Sequence, residues 1–200
     1  MIQAGLPLDK AKKVAILVHG RGSQAEQIIT LSDHLHLDEF ALLAPSANLG
    51  SWYPYSFMAP LKDNQPSLDK ALSTLDEAFQ QCKDSGFSSS NLFLIGFSQG
   101  ACLILEYAAR NAREFGGVIA FTGGLIGQKI HKENYRGNFN GTPIFIGASH
   151  EDVHVPLARI KETAKTLEDM GAKINTLIFK DPHHTIREEE IRWVNEHVLS

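Results

Sequence analysis

The chain contains one short motif whose residue types and spacing could support acyl transfer, Gly96-Phe97-Ser98-Gln99-Gly100. An apolar run precedes the motif and a helix-like stretch follows it, which is the strand–turn–helix setting of a nucleophile elbow. The two glycines would let a tight, strained turn form, because they have no Cβ to collide with neighbouring backbone. Ser98 is therefore a candidate nucleophile whose hydroxyl would stand above the edge of a sheet.

A serine hydroxyl is a weak nucleophile at neutral pH, so it needs a base, and an acid must orient that base. In the elbow arrangement the chain order is serine, then Asp or Glu, then histidine, each on a loop after a strand. Two later loops supply these residue types in that order. Glu151 and Asp152 are the candidate acids, and His183 and His184 are the candidate bases.

The oxyanion formed during acyl transfer needs two backbone N–H groups, one from the residue after the nucleophile and one from an earlier loop. Gln99 follows Ser98 and supplies the first. The second is expected in the turn His19-Gly20-Arg21-Gly22, with the N–H of Arg21 as the candidate donor. Glycines on both sides of Arg21 would let the backbone approach a substrate closely.

A competing motif overlaps the candidate acids, because His150-Glu151-Asp152-Val153-His154 matches the H-E-x-x-H pattern of zinc proteases. That chemistry requires both histidines on one face of a helix and a third ligand downstream. Pro156 disfavours helix at the residue before it, and the segment follows a predicted strand closely. We therefore expect no metal at this position.

Six apolar runs predict strands, and they are continuous rather than alternating, as is typical of parallel strands buried on both faces. These runs cover residues 14–18, 40–44, 92–97, 117–121, 143–147 and 174–179. Parallel strands share a direction, so the loops that carry the candidate nucleophile, acid and base should leave the same edge of the sheet. Residues far apart in sequence could then meet there.

Amphipathic stretches lie between these runs and predict helices. One apolar face comprises Leu68, Ala71, Leu72, Leu75, Ala78 and Phe79, and another comprises Leu157, Ile160, Ala164, Leu167 and Met170. A last helix is predicted over residues 187–199, and Thr185 with Glu188 resembles a capping box at its start. The alternation of strands and helices predicts an α/β three-layer sandwich with a mainly parallel sheet, as one domain over residues 1–200. Residues 45–66 form a long connection, which in a compact domain is usually functional.

The composition sets limits on partners and location. The 200 residues carry a net charge of −4 and no basic cluster that could neutralise phosphates, which argues against a nucleic-acid partner. No apolar run is long enough for a membrane span, so stable membrane insertion is not expected. Residues 1–8 lack the features of a signal peptide, and the cytoplasm is the expected location. Two cysteines, Cys82 and Cys102, form no disulfide framework.

Several motifs occur together in an order that resembles the phospholipase/carboxylesterase family of α/β-hydrolases, relatives of acyl-protein thioesterases and dienelactone hydrolase. They are Gly5-Leu6-Pro7-Leu8, Leu17-Val18-His19-Gly20-Arg21-Gly22, Ser51-Trp52-Tyr53-Pro54, Gly96-Phe97-Ser98-Gln99-Gly100, Thr122-Gly123-Gly124-Leu125, Thr142-Pro143-Ile144-Phe145-Ile146-Gly147 and Asp152-Val153-His154-Val155-Pro156. The resemblance covers nearly the whole chain. It implies an α/β-hydrolase fold with a minimal cap.

The resemblance also implies a function. Ser98, Asp152 and His184 match the catalytic triad, and the activity would be that of a serine carboxylesterase acting on small esters through an acyl-enzyme. A thioesterase or lysophospholipase is the alternative, and a non-catalytic ligand-binding protein on the same fold is less favoured. The resemblance places Trp52, Tyr53 and Leu125 in the wall of a comparatively open substrate pocket. It implies no cofactor and is compatible with a homodimer.

Overall fold

A seven-stranded sheet runs through the middle of the protein, and the computed structural model describes every residue from 1 to 200. The strands lie in the order β1-β3-β2-β4-β5-β6-β7 across the sheet. Their bounds are β1 Ile2–Gly5, β2 Lys13–Val18, β3 Phe40–Ala44, β4 Leu92–Phe97, β5 Gly117–Phe121, β6 Pro143–Ser149 and β7 Lys173–Phe179. All neighbouring pairs are parallel except β1 with β3. The mainly parallel sheet predicted from the sequence is thereby confirmed.

Five helices cover the two faces of the sheet. They are α1 Ala25–Ile29, α2 Ser67–Asp84, α3 Gln99–Arg110, α4 Leu157–Asp169 and α5 Glu188–His197. Helices α2, α3 and α4 pack on one face, and α1 and α5 pack on the other. Successive side chains of a strand point to opposite faces, so that Val14 joins the first core and Ala15 the second. The three-layer α/β arrangement is confirmed, and no helix is both long and apolar enough to cross a lipid bilayer.

The edges of the sheet differ from the sequence-based expectation. Strand β1 was not predicted, because four residues with alternating partial exposure carry too little apolar signal. The prediction that every strand is buried on both faces is wrong for β7, where exposed and partly buried residues alternate for most of its length. As the last strand of the sheet, β7 has a neighbouring strand on one side only. The short helix α1 also escaped prediction.

The start of α5 is capped by different residues from those expected. The predicted capping box of Thr185 with Glu188 is wrong, because the helix begins at Glu188 and its N-cap residue is Arg187. The backbone N–H of Arg187 donates to Oε2 of Glu190 at 2.7 Å, which is the reciprocal half of a capping box shifted by two residues. Glu190 is fully buried, and its second carboxylate oxygen has no hydrogen-bond partner.

Burial raises the pKa of Glu190 to about 7, against the pull of the hydrogen bond from Arg187. A carboxyl group whose pKa is higher in the folded state holds its proton there while the unfolded chain has already lost it. Between pH 4.5 and 7 the folded state therefore binds more protons, and stability falls as pH rises through this window.

We expect Glu190→Gln to remove this pH dependence, because glutamine can still accept the hydrogen bond from Arg187 but does not ionise. As the pH rises from 5 to 8, the free energy of unfolding of the variant should increase relative to that of the wild type by roughly 1–3 kcal/mol. Urea unfolding at several pH values measures this gain. Glu189→Gln, at an exposed neighbouring position, is the control. Parallel stability curves for wild type and Glu190→Gln would contradict the prediction.

Candidate active site

Ser98 occupies a strained turn between β4 and α3. Its backbone has φ 55° and ψ −118°, a conformation that residues other than glycine rarely adopt. The N–H of Ser98 donates to the carbonyl of Phe121 at 3.0 Å, and its own carbonyl accepts from the N–H of Cys102 at 3.0 Å. These bonds to β5 and to the first turn of α3 hold the strained conformation, which is the geometry of a nucleophile elbow.

Both glycines of the elbow are required by close contacts. A Cβ on Gly96 would lie 2.7 Å from the backbone of Gly100, and a Cβ on Gly100 would overlap the carbonyl oxygens of Val18 and His19. The first turn of α3 therefore packs directly on the end of β2. Gly96 meets the requirement of the tight turn, and Gly100 also permits the close packing of α3 on β2.

Three loops from parallel strands bring the candidate nucleophile, acid and base together. Oδ2 of Asp152 lies 2.7 Å from Nδ1 of His184, and Nε2 of His184 lies 2.7 Å from Oγ of Ser98. Burial by itself would raise the pKa of Asp152, but the hydrogen bond from His184 and those from the N–H groups of His154 and Val155 hold it below its usual value. An ionised Asp152 accepts a hydrogen bond from the Nδ1–H of His184, which leaves Nε2 unprotonated and able to take the proton of Ser98.

The rival residues lie outside this hydrogen-bonded chain. Glu151 is exposed at the surface, whereas Asp152 is buried. His183 is also exposed, and its ring forms no hydrogen bond to protein. The segment from His150 to His154 is a turn, since the following helix begins at Leu157. The H-E-x-x-H match therefore lacks the helix that would place both histidines on one face.

The N–H groups of the two predicted oxyanion donors have no acceptor in the protein. Gln99 is the first residue of α3, so its N–H has no acceptor within that helix. The N–H of Arg21 forms no hydrogen bond to protein. A Cβ built on Gly20 would lie 3.4 Å from Cβ of Ser98, which places the turn after β2 directly against the nucleophile. Both N–H groups are thus available beside Ser98.

Comparison with known proteins identifies the family. The sequence profile of the phospholipase/carboxylesterase family matches residues 4–199. The chain belongs to the phospholipase/carboxylesterase family. A phospholipase/carboxylesterase from Dyadobacter fermentans DSM 18053, solved by crystallography, shares 48% identity over 100% of this chain and 95% of its own, with a TM-score of 0.98. Acyl-protein thioesterase 1 of Kluyveromyces lactis is 26% identical over 79% of this chain and 77% of its own length. The resemblance inferred from the motifs is confirmed, and the protein is a hydrolase.

In this family member, the side chains of the two oxyanion candidates hold the long loop after β3. The Arg21 guanidinium donates to the carbonyls of Tyr53, Pro54 and Tyr55 at 2.7–2.9 Å and to Oγ of Ser51 at 2.9 Å. The Gln99 amide donates to the carbonyl of Tyr53 at 2.8 Å and accepts the N–H of Trp52 at 3.0 Å. The motifs predict roles for the backbone N–H groups of these residues but not for their side chains.

A cavity of about 530 Å³ opens beside Ser98. Its lining includes Tyr53, as expected, but neither Trp52 nor Leu125. Trp52 is buried behind the cavity, where its indole N–H donates to the carbonyl of His19 at 2.9 Å. Leu125 is fully buried, and its carbonyl accepts from the Arg159 guanidinium at 2.9 Å. Both residues support the surrounding segments from outside the lining.

Six residues of the cavity lining are not among the predicted site residues: Pro54, Tyr55, Ser56, Phe57, Cys102 and His154. Cys102 lies one helical turn after Ser98, a spacing that could have indicated its place beneath the nucleophile. Burial raises the pKa of its thiol to about 12, so it stays protonated and is no rival nucleophile. The ring of His154 lies 5.1 Å from the ring of His184, centroid to centroid. Its position two residues after Asp152 was the signal available in the sequence.

We expect Gly100→Ala to disrupt the elbow, because the new methyl group would overlap the end of β2. The cost should exceed about 3 kcal/mol in the free energy of unfolding, beyond the usual range for point substitutions. Gly86→Ala is the matched control, since nothing lies within 4 Å of its Cβ position and only its φ of +92° opposes the change. Its cost should be about 1–2 kcal/mol. Chemical denaturation of both variants measures the difference, and equal losses would show that the contact with β2 is unimportant.

Proposed function

We propose that this protein is a serine carboxylesterase that hydrolyses small carboxylic esters through an acyl-enzyme. The observation that carries the proposal is the continuous chain of hydrogen bonds from Ser98 through His184 to Asp152. Ser98, at one end of this chain, lies on the strained elbow. A ligand-binding protein would have no need of a nucleophile, a base and an acid aligned in this way. We therefore favour catalysis over simple binding.

In the acylation step, Oγ of Ser98 attacks the ester carbonyl carbon while its proton passes to Nε2 of His184. Asp152 holds the Nδ1 proton of His184 and stabilises the imidazolium that forms. The carbonyl oxygen becomes an oxyanion, which the N–H groups of Arg21 and Gln99 stabilise. When the tetrahedral intermediate collapses, the bond to the alcohol breaks and Nε2 of His184 gives its proton to the leaving oxygen.

In the deacylation step, water replaces the alcohol. His184 takes a proton from the water as it attacks the acyl carbon, and a second oxyanion forms at the same N–H groups. Collapse of this intermediate releases the carboxylic acid and returns the proton to Ser98. The two steps use groups of the chain itself and require no cofactor.

The cavity favours a small substrate. Its lining mixes apolar side chains with Arg21, Ser56, Gln99 and two histidines. A long acyl chain gains about 0.8 kcal/mol for each methylene group that it buries against apolar surface, and this lining offers little continuous surface of that kind. Thioesters present the same carbonyl to Ser98, so a thioesterase remains the alternative function, with lysophospholipase activity as a further option. The homodimer and the cytoplasmic location stay predictions.

Ser98→Ala and His184→Ala should each lower kcat for 4-nitrophenyl butyrate by about ten-thousandfold or more, because each removes a group that acts in bond formation. Asp152→Asn should lower kcat by about a thousandfold or more. The matched controls are His183→Gln and Glu151→Gln, which change the neighbouring residues and should leave kcat within about twofold of wild type. Full activity in Ser98→Ala, or a large loss in either control, would contradict the assignment.

Among 4-nitrophenyl esters, we expect kcat/KM to be highest for acyl chains of about two to six carbons and to fall for the palmitate ester, since added methylene groups find little apolar surface. Esters of each length, presented below their solubility limits, measure the trend. Butyryl and palmitoyl thioesters, and a lysophosphatidylcholine, are assayed under the same conditions. A kcat/KM for the palmitoyl thioester above that for the short-chain esters would favour a thioesterase. A kcat/KM for the lysophospholipid above that for the short-chain esters would favour a lysophospholipase.

A further inference from the structure

Arg187 lies outside the residues assigned to chemistry, yet its side chain contacts both the end of β6, which leads into the acid loop, and the loop that carries the base. The backbone hydrogen bonds between β6 and β7 continue past both strands, from the N–H of His150 to the carbonyl of Phe179 at 2.8 Å and from the N–H of Glu151 to the carbonyl of Asp181 at 3.3 Å. Beyond this point the base loop must turn back towards Ser98. The structure shows which side chains hold it there.

The peptide groups of His183 are fixed on both sides. Its N–H donates to Oδ1 of Asp181 at 2.9 Å. Its carbonyl accepts two hydrogen bonds, from Oγ of Ser149 at 2.5 Å and from Nη2 of Arg187 at 3.1 Å. The carbonyl of His183 belongs to the peptide bond that leads into His184. Fixing this peptide group therefore limits the directions in which the imidazole of His184 can point.

Arg187 forms hydrogen bonds to both residues whose side chains bind His183, namely Asp181 and Ser149. Its Nη2 atom lies 2.5 Å from Oδ1 of Asp181 and donates to Oγ of Ser149 at 2.8 Å. Ser149 is the last residue of β6 and lies three residues before Asp152. A single guanidinium thus links the strand that leads into the acid loop with the loop that carries the base.

The guanidinium is itself held in place. It lies over the ring of Phe179, 4.3 Å from the ring centroid, and only 11% of the side chain is exposed. The backbone N–H of Arg187 is bound by Glu190 at the start of α5. The three acceptors share the two hydrogens of Nη2. Because the guanidinium is planar, it can lie flat on the ring of Phe179 while Nη2 points at these acceptors in its own plane, a geometry that the tetrahedral ammonium group of lysine does not reproduce.

We propose that Arg187 is a positioning residue that aligns His184 with Ser98 and Asp152 by fastening the base loop to the end of β6. This inference rests on the proposed esterase function. Arg187 reaches the chemistry through the peptide group before His184 and touches no reacting atom. Its loss should therefore reduce kcat, which depends on the alignment of the base, more than it changes KM.

The test compares Arg187→Met, Arg187→Lys and the control Arg192→Met, which alters an exposed arginine of α5 that forms no ion pair. We expect Arg187→Met to lower kcat for 4-nitrophenyl butyrate by about ten- to hundredfold, with KM within about threefold of wild type. Arg187→Lys should recover only part of the rate. Free guanidinium at millimolar concentration should raise the rate of Arg187→Met and leave Arg192→Met unchanged. The rate at which an organophosphate labels Ser98 should fall in parallel with kcat.

Folding is checked by circular dichroism and by the thermal midpoint of each variant. Should Arg187→Met fail to fold, Asp181→Asn and Ser149→Ala remove single partners of the same peptide group and should each lower kcat severalfold while folded. A folded Arg187→Met with kcat within about twofold of wild type overturns the inference, as does loss of fold in all three variants. Wild-type protein that neither hydrolyses esters nor reacts with the organophosphate at Ser98 overturns the proposed function itself, before any variant is compared.

Discussion

The contact between Gly100 and the end of β2 determines how the rest of the site is arranged. Because no side chain separates the first turn of α3 from the carbonyls of Val18 and His19, helix and strand approach as closely as backbone allows. This approach places the strained Ser98 beside the turn that follows β2, and so beside the second candidate oxyanion donor. Helix α3 is buried along almost its whole length, which holds the contact in place.

Around this contact, the parallel sheet determines the edge at which the loops leave, and polar side chains determine the path that each loop then takes. Parallel strands deliver the loops to one edge, but they do not determine where a loop of several residues goes next. In each long loop the path is set by side chains that bond to backbone carbonyls and N–H groups. Nε2 of His19 accepts a hydrogen bond from the N–H of Ala47, and the Asn64 amide binds the N–H of Tyr55 and the carbonyl of Ser56. The Arg159 guanidinium donates to three carbonyls in the segment 125–128. Such bonds satisfy buried backbone groups and determine loop shape at the same time.

The sequence predicted the parts of the structure that depend on local pattern. Continuous apolar runs located six strands within one or two residues, because the five central ones, β2 to β6, are buried on both faces and leave a strong signal. The order of Ser98, Asp152 and His184 along the chain predicted which residues would meet. The edge strand β1 gave too weak a pattern, and the positions of Trp52 and Leu125 depend on long-range packing that no local pattern records. The roles of the Arg21 and Gln99 side chains likewise depend on a loop some 30 to 50 residues away.

Arg21 and Gln99 each contribute twice to the same small region: their backbone N–H groups are the proposed oxyanion donors, and their side chains hold the loop that forms a wall of the cavity. Reshaping that loop by insertion or deletion would therefore disturb the electrostatic environment of the reaction as well as the space for the substrate. Divergence towards new substrates would then be easiest through a side chain such as that of Tyr55, which lines the cavity and forms no hydrogen bond to the loop backbone. Under the proposed mechanism, a change in substrate range that reshapes the loop would also change turnover, and the side chains of Arg21 and Gln99 connect the two properties.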